Sequence, residues 1–181
     1  MLDGEEKLIQ DAVIEGDSSA FGKLYDYYQP MIYRFVLIKV GRREEAEDIT
    51  HQVFLRAWQS IRTYSHRGNP FGSWLYRIAR NQVIDRYRSR KDDVSLEMID
   101  ADTLSFQTKQ PDVSTRIDME RVIAAVHRLK PDYQDVIVLR FVEDLSISET
   151  AEIMHKTEGA IKLIQHRAIE ELKKELNHES F

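Results

Sequence analysis

Apolar residues recur at three- and four-residue spacing along almost the whole 181-residue chain, a period that leaves little room for anything but helices. Only 7 Gly and 4 Pro are present, and they fall where helices should start or stop. The spacing predicts a helix over 18–29 ending at Pro30, another over 31–40 ending at Gly41, and a long amphipathic helix over 43–61. Asn69 reads as an N-cap ahead of Pro70 at the first helical position, opening a helix to about Ser89. Helices over 115–129 and from Pro131 follow. Ser146 and Glu149 form a capping box for a short helix, and Thr157 caps the last one. VIVLRFV (136–142) is β-prone in isolation, but its place between Pro131 and Ser146 favours helix. The expected fold is all-α.

The period fails over 92–114, where six acids (Asp92, Asp93, Glu97, Asp100, Asp102, Asp112) face a single base, Lys109. This reads as an acidic extended linker between two small helical domains, 1–91 and 115–181. With 42% hydrophobic residues the chain can supply a core to each. Zero cysteines exclude disulfides, thiolate metal sites and cysteine nucleophiles. The six histidines show no paired metal-ligand spacing, so neither a metal nor a cofactor is expected. The N-terminus carries no secretory pattern and no uncharged apolar run approaches the length of a membrane span, which points to a cytoplasmic protein without membrane insertion.

Charge is unevenly spread. The chain has a formal net charge of −5, yet residues 71–91 hold six Lys/Arg against one acid, Asp85, with Phe71, Trp74, Tyr76 and Tyr87 interleaved. At about 100° per residue, Arg77, Arg80, Arg88 and Lys91 fall within a sector of about 80°, while Leu75, Ile78, Ala79 and Val83 take the opposite side. One face is built for burial and the other to meet something anionic, of which DNA phosphate is the commonest.

The second half carries a sharper pattern. Residues 146–154, a tight break at His155–Lys156 and residues 157–176 have helix-turn-helix spacing, with small Ala151 where the helices must approach. Ile161, Ile164, Ala168 and Leu172 form the core stripe of the last helix. Gly159, Lys162, Leu163, His166, Arg167 and Lys173 turn away from it, with Thr157 and Glu158 at its start. Cations for phosphates or guanine, and a leucine for a thymine methyl, suit a major groove. Lys162 fits base reading or the adjacent phosphate; Arg167 is left between the two.

The stretch from LKPDYQDVIVLRF to the helix ending KKEL resembles region 4 of the extracytoplasmic-function (ECF) group of bacterial sigma factors. GDSSAFGKLYDYY, EEAEDITHQVFLRAWQSI and NPFGSWLYRIARNQVIDRYR resemble their region 2, and the motifs stand in the family's order around the acidic linker. The resemblance implies an alternative sigma factor that binds core RNA polymerase, directs it to promoters and begins their melting, without being an enzyme. Implied partners are the β′ clamp helices and β flap of core polymerase, promoter DNA, and an anti-sigma factor. The clamp contact falls on the helix matching 43–61: Ala46, Ile49, Val53 and Ala57 form its inward stripe, leaving Leu55 nearly opposite with Asp48, His51, Gln52 and Trp58 around it. His51-Gln52 stands where the family usually has Gln followed by an acid, which lowers the charge of that contact.

By the same resemblance, recognition and melting of the −10 element belong to loop 62–70 and the helix after it. Tyr64, Ser65, His66, Arg67 and Asn69 supply aromatic, amide and cationic groups for unpaired bases. Trp74 adjoins the loop and reads as structural rather than as a wedge, while Arg77, Arg80, Asn81 and Arg88 hold duplex and displaced strand. The −35 element falls to the recognition helix. There Gly159-Ala160-Ile161-Lys162-Leu163-Ile164-Gln165 replaces the usual Gly-Thr-Val-Lys-Ser-Arg-Leu, losing a cation and a hydroxyl and gaining Leu163. An atypical upstream element is expected. The competing reading is a helix-turn-helix repressor or activator not associated with polymerase, which explains 115–181 but not the basic helix or the Leu55/Trp58 face.

Overall fold

The computed structural model describes Leu2 and residues 4–64, 70–89 and 113–178, and every regular element among them is helical. A short helix α1 (Glu5–Gln10) runs through a π-helical turn (Asp11–Glu15) to Gly16. Then come α2 (Ser18–Val40), α3 (Arg43–Ser60) with a 3-10 turn (Ile61–Thr63), and α4 (Phe71–Ser89). The second block holds α5 (Val113–Arg128), α6 (Pro131–Ile137) extended by a π-helical turn (Val138–Val142), α7 (Ile147–Ile153) and α8 (Glu158–His178).

The expected break at Pro30 does not occur, and α2 is one 23-residue helix with Pro30 inside it. Proline forfeits one helical hydrogen bond and crowds the preceding turn, at a cost of ~3 kcal/mol. Beyond it, Ile32, Phe35, Val36 and Leu37 are all buried, and each such side chain contributes roughly 1.5–3 kcal/mol on burial. Pro30 itself lies on the exposed side of α2, where water can serve the orphaned carbonyl. The other boundaries follow the local chemistry. Asp17 caps α2 by accepting from Ser19 N–H at 2.8 Å. Gly41 ends it in the left-handed conformation at φ 73°, its N–H donating to the Leu37 carbonyl. The capping box at Ser146 has both of its hydrogen bonds, and Thr157 Oγ1 accepts from Ala160 N–H at 3.2 Å. Residues 136–142 are helical, as their flanks imply. Asn69 and nearly all of the 92–114 linker lie outside the described residues.

In the first block α2, α3 and α4 pack on one another, with α1 laid against α2. At Gly72 α4 lies close against α2: a Cβ there would stand 2.9 Å from the Tyr28 ring. The Tyr28 hydroxyl donates to Glu5, fixing α1 to the same spot, and burial followed by that carboxylate pushes the Tyr28 pKa far up. In the second block α8 packs against α5, α6 and α7 around Ile161 and Ala168. The two blocks also touch, through α7 on α4 and through α5 and the Val138–Val142 turn on α2.

Candidate functional site

The residues singled out in the sequence fall on three surfaces. On α3, Ala46, Ile49, Val53 and Ala57 are buried as the wheel requires, and Leu55 projects outward at 49% exposure. Asp48, His51 and Gln52 are exposed around it, and Asp48 and Gln52 also line an open groove against Asp85 and Arg86 of α4. Trp58 is different. Its ring lies 5.0 Å from that of Phe21, so it is partly buried by packing on α2. An apolar projection ringed by polar groups has the anchor-and-rim make-up of a protein interface.

The second surface surrounds the end of loop 62–70. Ser65, His66, Arg67 and Asn69 lie outside the described residues. Tyr64 is held at the loop's base by Phe71 and Trp74, with ring centroids at 5.3 and 5.1 Å, and Phe71 and Trp74 are themselves 5.3 Å apart. Burial, then Glu5, then Glu152 push the Tyr64 hydroxyl up to about 12, so it remains a neutral donor at physiological pH. Trp74 is a member of this aromatic cluster. Farther along α4, Asn81 and Arg88 are exposed and Arg77 is partly exposed.

Arg80 stands apart from these. Its Nε donates to Asp135 of α6 at 2.7 Å and an Nη to Asp132 at 3.3 Å, leaving the side chain 15% exposed. This belongs to a polar seam between the blocks that sequence reasoning missed. Lys39 of α2 pairs with the other Asp135 oxygen at 2.7 Å. Arg34 grips Glu143 through two hydrogen bonds of 2.8 and 2.6 Å, and the Tyr76 hydroxyl donates to the same carboxylate at 2.7 Å. Arg34's own hydrogen bond to Glu143, with the charge of that carboxylate, raises the pKa of Arg34 even against partial burial. A signal did exist: Lys39 interrupts the apolar run FVLIKV and Asp135 sits among DVIVL, positions a core would claim.

The third surface is α8. Thr157, Glu158, Gly159, Lys162, Leu163, His166, Arg167 and Lys173 are all exposed, with Leu163 at 49%, while Ile161 and Ala168 are fully buried behind them. Ile164 and Leu172 are half-buried along the same stripe. Gln165 turns to the side, where Arg140 Nε donates to it at 3.1 Å while another Arg140 nitrogen bonds the Leu145 carbonyl. One guanidinium thus ties α8 to the segment leading into α7. The turn between α7 and α8 places His155 at φ 52°, and Lys156 N–H donates to the Ala151 carbonyl at 2.9 Å.

Among the described residues no group of three or more His, Asp or Glu converges to hold a metal ion, and no helix is long and apolar enough to cross a membrane. The sigma-70 region 2 family model matches residues 24–92 and the sigma-70 region 4 model matches 125–174. The chain is 33% identical over 174 residues to the ECF RNA polymerase sigma factor SigW of Bacillus subtilis, covering 91% of this chain and 92% of that one. The chain belongs to the ECF RNA polymerase sigma factors. It is also 41% identical over 160 residues to BldN of Streptomyces coelicolor, another ECF sigma factor, though it spans only 60% of that protein's length. The fold is similar to that of CnrH in its complex with the cytosolic domain of CnrY, at a TM-score of 0.75 and 22% identity over 97% of this chain and 98% of that one. It is similar too to the sigma factor RpoE of Bartonella quintana in complex with the anti-sigma factor NepR, at 0.69 and 23% over 87% and 96%. With both sigma regions present, a stand-alone repressor or activator leaves residues 24–92 without a role.

Proposed function

We propose that this ECF sigma factor docks on core RNA polymerase through the α3 face centred on Leu55, reads the −35 element with the exposed face of α8, and opens the −10 element with loop 62–70 and α4. The observation that carries this reading is the pairing of two exposed leucines with opposite surroundings. Leu55 is ringed by His51, Gln52 and Asp48, as a protein anchor is, and Leu163 by Lys162, His166 and Arg167, as a groove-reading residue is. The docking partners are the β′ clamp helices for α3 and the β flap for the second block. Strand separation draws on binding free energy, with unpaired bases stacking near Tyr64 and being held by His66, Arg67 and Asn69. The chain works in the cytoplasm and performs no covalent chemistry. An anti-sigma factor restrains it, as NepR pairs with its own sigma factor.

The test is co-purification followed by run-off transcription. The purified chain should bind core polymerase in the absence of DNA and direct specific initiation on genomic fragments. Binding to DNA alone, with no retention on core, would overturn the reading.

A further inference from the structure

We propose that Glu5, at the start of α1, is a positioning residue for promoter opening: through the Tyr28 hydroxyl it fixes the cluster of Tyr28, Phe71, Trp74 and Tyr64 that presents Tyr64 to unpaired bases. The inference rests on the reading of Tyr64 as a base-stacking ring and adds the element that sets it in place.

The cluster is continuous. The Tyr28 ring stands 5.6 Å from that of Phe71, and Phe71 lies 5.3 Å from both Tyr64 and Trp74. Tyr64 follows the 3-10 turn and Phe71 opens α4, so one set of rings holds both segments. Gly72 leaves room for the Tyr28 ring, and the Tyr28 hydroxyl ends on Glu5. The same carboxylate lies near enough to Tyr64 to add, after burial, to the rise of its pKa. Aromatic pairs favour particular tilted and edge-on arrangements, so a shift of one ring re-aims the next.

Anchoring of α1 does not account for Glu5. Ile9 and Ala12 are buried and fasten the N-terminal segment by apolar contact. Among the described residues no cation pairs with Glu5, although it is only 9% exposed. A carboxylate taken out of water without a cation costs stability, and an apolar residue would fill the space without that cost. What the carboxylate adds is direction, because it accepts the Tyr28 hydroxyl at one point and so sets the place of the ring. The segment also meets the 3-10 turn directly. The π-helical turn Asp11–Glu15 packs on Ile61–Thr63, and a Cβ on Gly16 would lie 3.5 Å from an Arg62 nitrogen. Tyr64 is thus braced twice, through the backbone that leads into it and through the ring cluster. A stacking surface in place before a base arrives spares the entropy of ordering it.

The experiment uses the full chain with saturating core polymerase on one promoter fragment recovered by run-off transcription, either fully duplex or with a pre-opened bubble. The readout is the ratio of initiation on duplex to initiation on bubble. Glu5→Ala should lower that ratio about fivefold, the effect of losing one hydrogen bond on the path to opening, and leave affinity for core unchanged. Tyr28→Phe, which keeps the ring and deletes the hydroxyl, should lower it equally, and the double variant no further, because the two groups act as one. Glu5→Gln should keep the wild-type ratio, since its amide oxygen still accepts from Tyr28. Val53→Ala, buried in α3 and no member of the ring cluster, marks the effect of lost stability alone and should not move the ratio. Additive losses in the double variant, or an equal fall in Val53→Ala, overturns the inference. If Glu5→Ala loses helicity, Tyr28→Phe decides, and a wild-type ratio there overturns it. Tyr64→Ala separates the two readings and should lower the ratio at least as far as Glu5→Ala. A wild-type ratio in Tyr64→Ala removes Tyr64 from opening and the inference with it. A fall in Tyr64→Ala beside a wild-type ratio in Glu5→Ala overturns the inference alone.

Discussion

Leu55 offers the sharpest separation between docking and folding. The residue is 49% exposed, so a partner can still desolvate about half of it. Burying a whole leucine contributes ~1.5–3 kcal/mol, so completing the job is worth about 1 kcal/mol, and Leu55→Ala should weaken core binding five- to tenfold. Leu55→Asp leaves a carboxylate where the partner excludes water and should cost about 3 kcal/mol, a loss of more than a hundredfold. Leu55 is only about half covered in the free chain, so either change should move thermal unfolding by no more than about 1 kcal/mol. Val53→Ala, two residues away and fully buried, should do the opposite, costing about 1–2 kcal/mol of stability with little direct effect on docking. Trp58→Ala should do both, since the ring rests on Phe21. Titration of dye-labelled chain with core polymerase, beside thermal melts of each variant, gives both numbers. Wild-type affinity in a properly folded Leu55→Asp chain would refute the placement of the docking face.

Other expectations follow from the same geometry. Lys162→Ala should cost roughly 1–3 kcal/mol at one position of the upstream element, whereas Arg88→Ala should weaken all sequences alike and lower the salt slope by about one unit, both read from binding curves at several salt concentrations. His66→Ala with Asn69→Ala should reduce transcription from duplex promoters more than from templates with a pre-opened bubble. Equal losses would assign those residues to docking or folding. Gly72→Ala drives a methyl to within 2.9 Å of a Tyr28 ring that Glu5 holds in place, and should destabilise by about 1–3 kcal/mol in a urea melt. His127 has its pKa lowered below 6.5, first by burial and then by Lys39. Protonation therefore favours the unfolded chain. The His127 contribution is complete above pH 6.5 and is lost as pH falls through the lower folded value, so the urea midpoint should drop on acidification and His127→Gln should flatten that drop.

What the sequence disclosed was whatever local chemistry decides. The Ser146–Glu149 box, the Gly41 stop, the buried and exposed faces of α3 and the outward face of α8 are each set by residues within a turn or two of one another. Pro30 escaped because its cost is local while the burial of Ile32, Phe35 and Leu37 that outweighs it is tertiary. Arg80 shows the same limit. A wheel places it beside Arg77 and Arg88 on a common cationic face, and nothing within α4 reveals that Asp135, 55 residues on, comes back to meet it. A wheel likewise cannot show that Trp58 packs against Phe21, which belongs to another helix.

That distance along the chain also has a meaning in time. Ribosomes add about 5–20 residues per second, so the 55 residues between Arg80 and Asp135 take roughly 3–11 s to make. Once Ser89 has been added and has left the ribosome, α2 and α4 can form and pack, yet the carboxylates that will neutralise Lys39, Arg34 and Arg80 are still missing. The newborn first block is thus a more cationic object than the finished protein. Its Lys39, Arg34 and Arg80 meet messenger and ribosomal RNA without those carboxylates until the last third of the chain emerges.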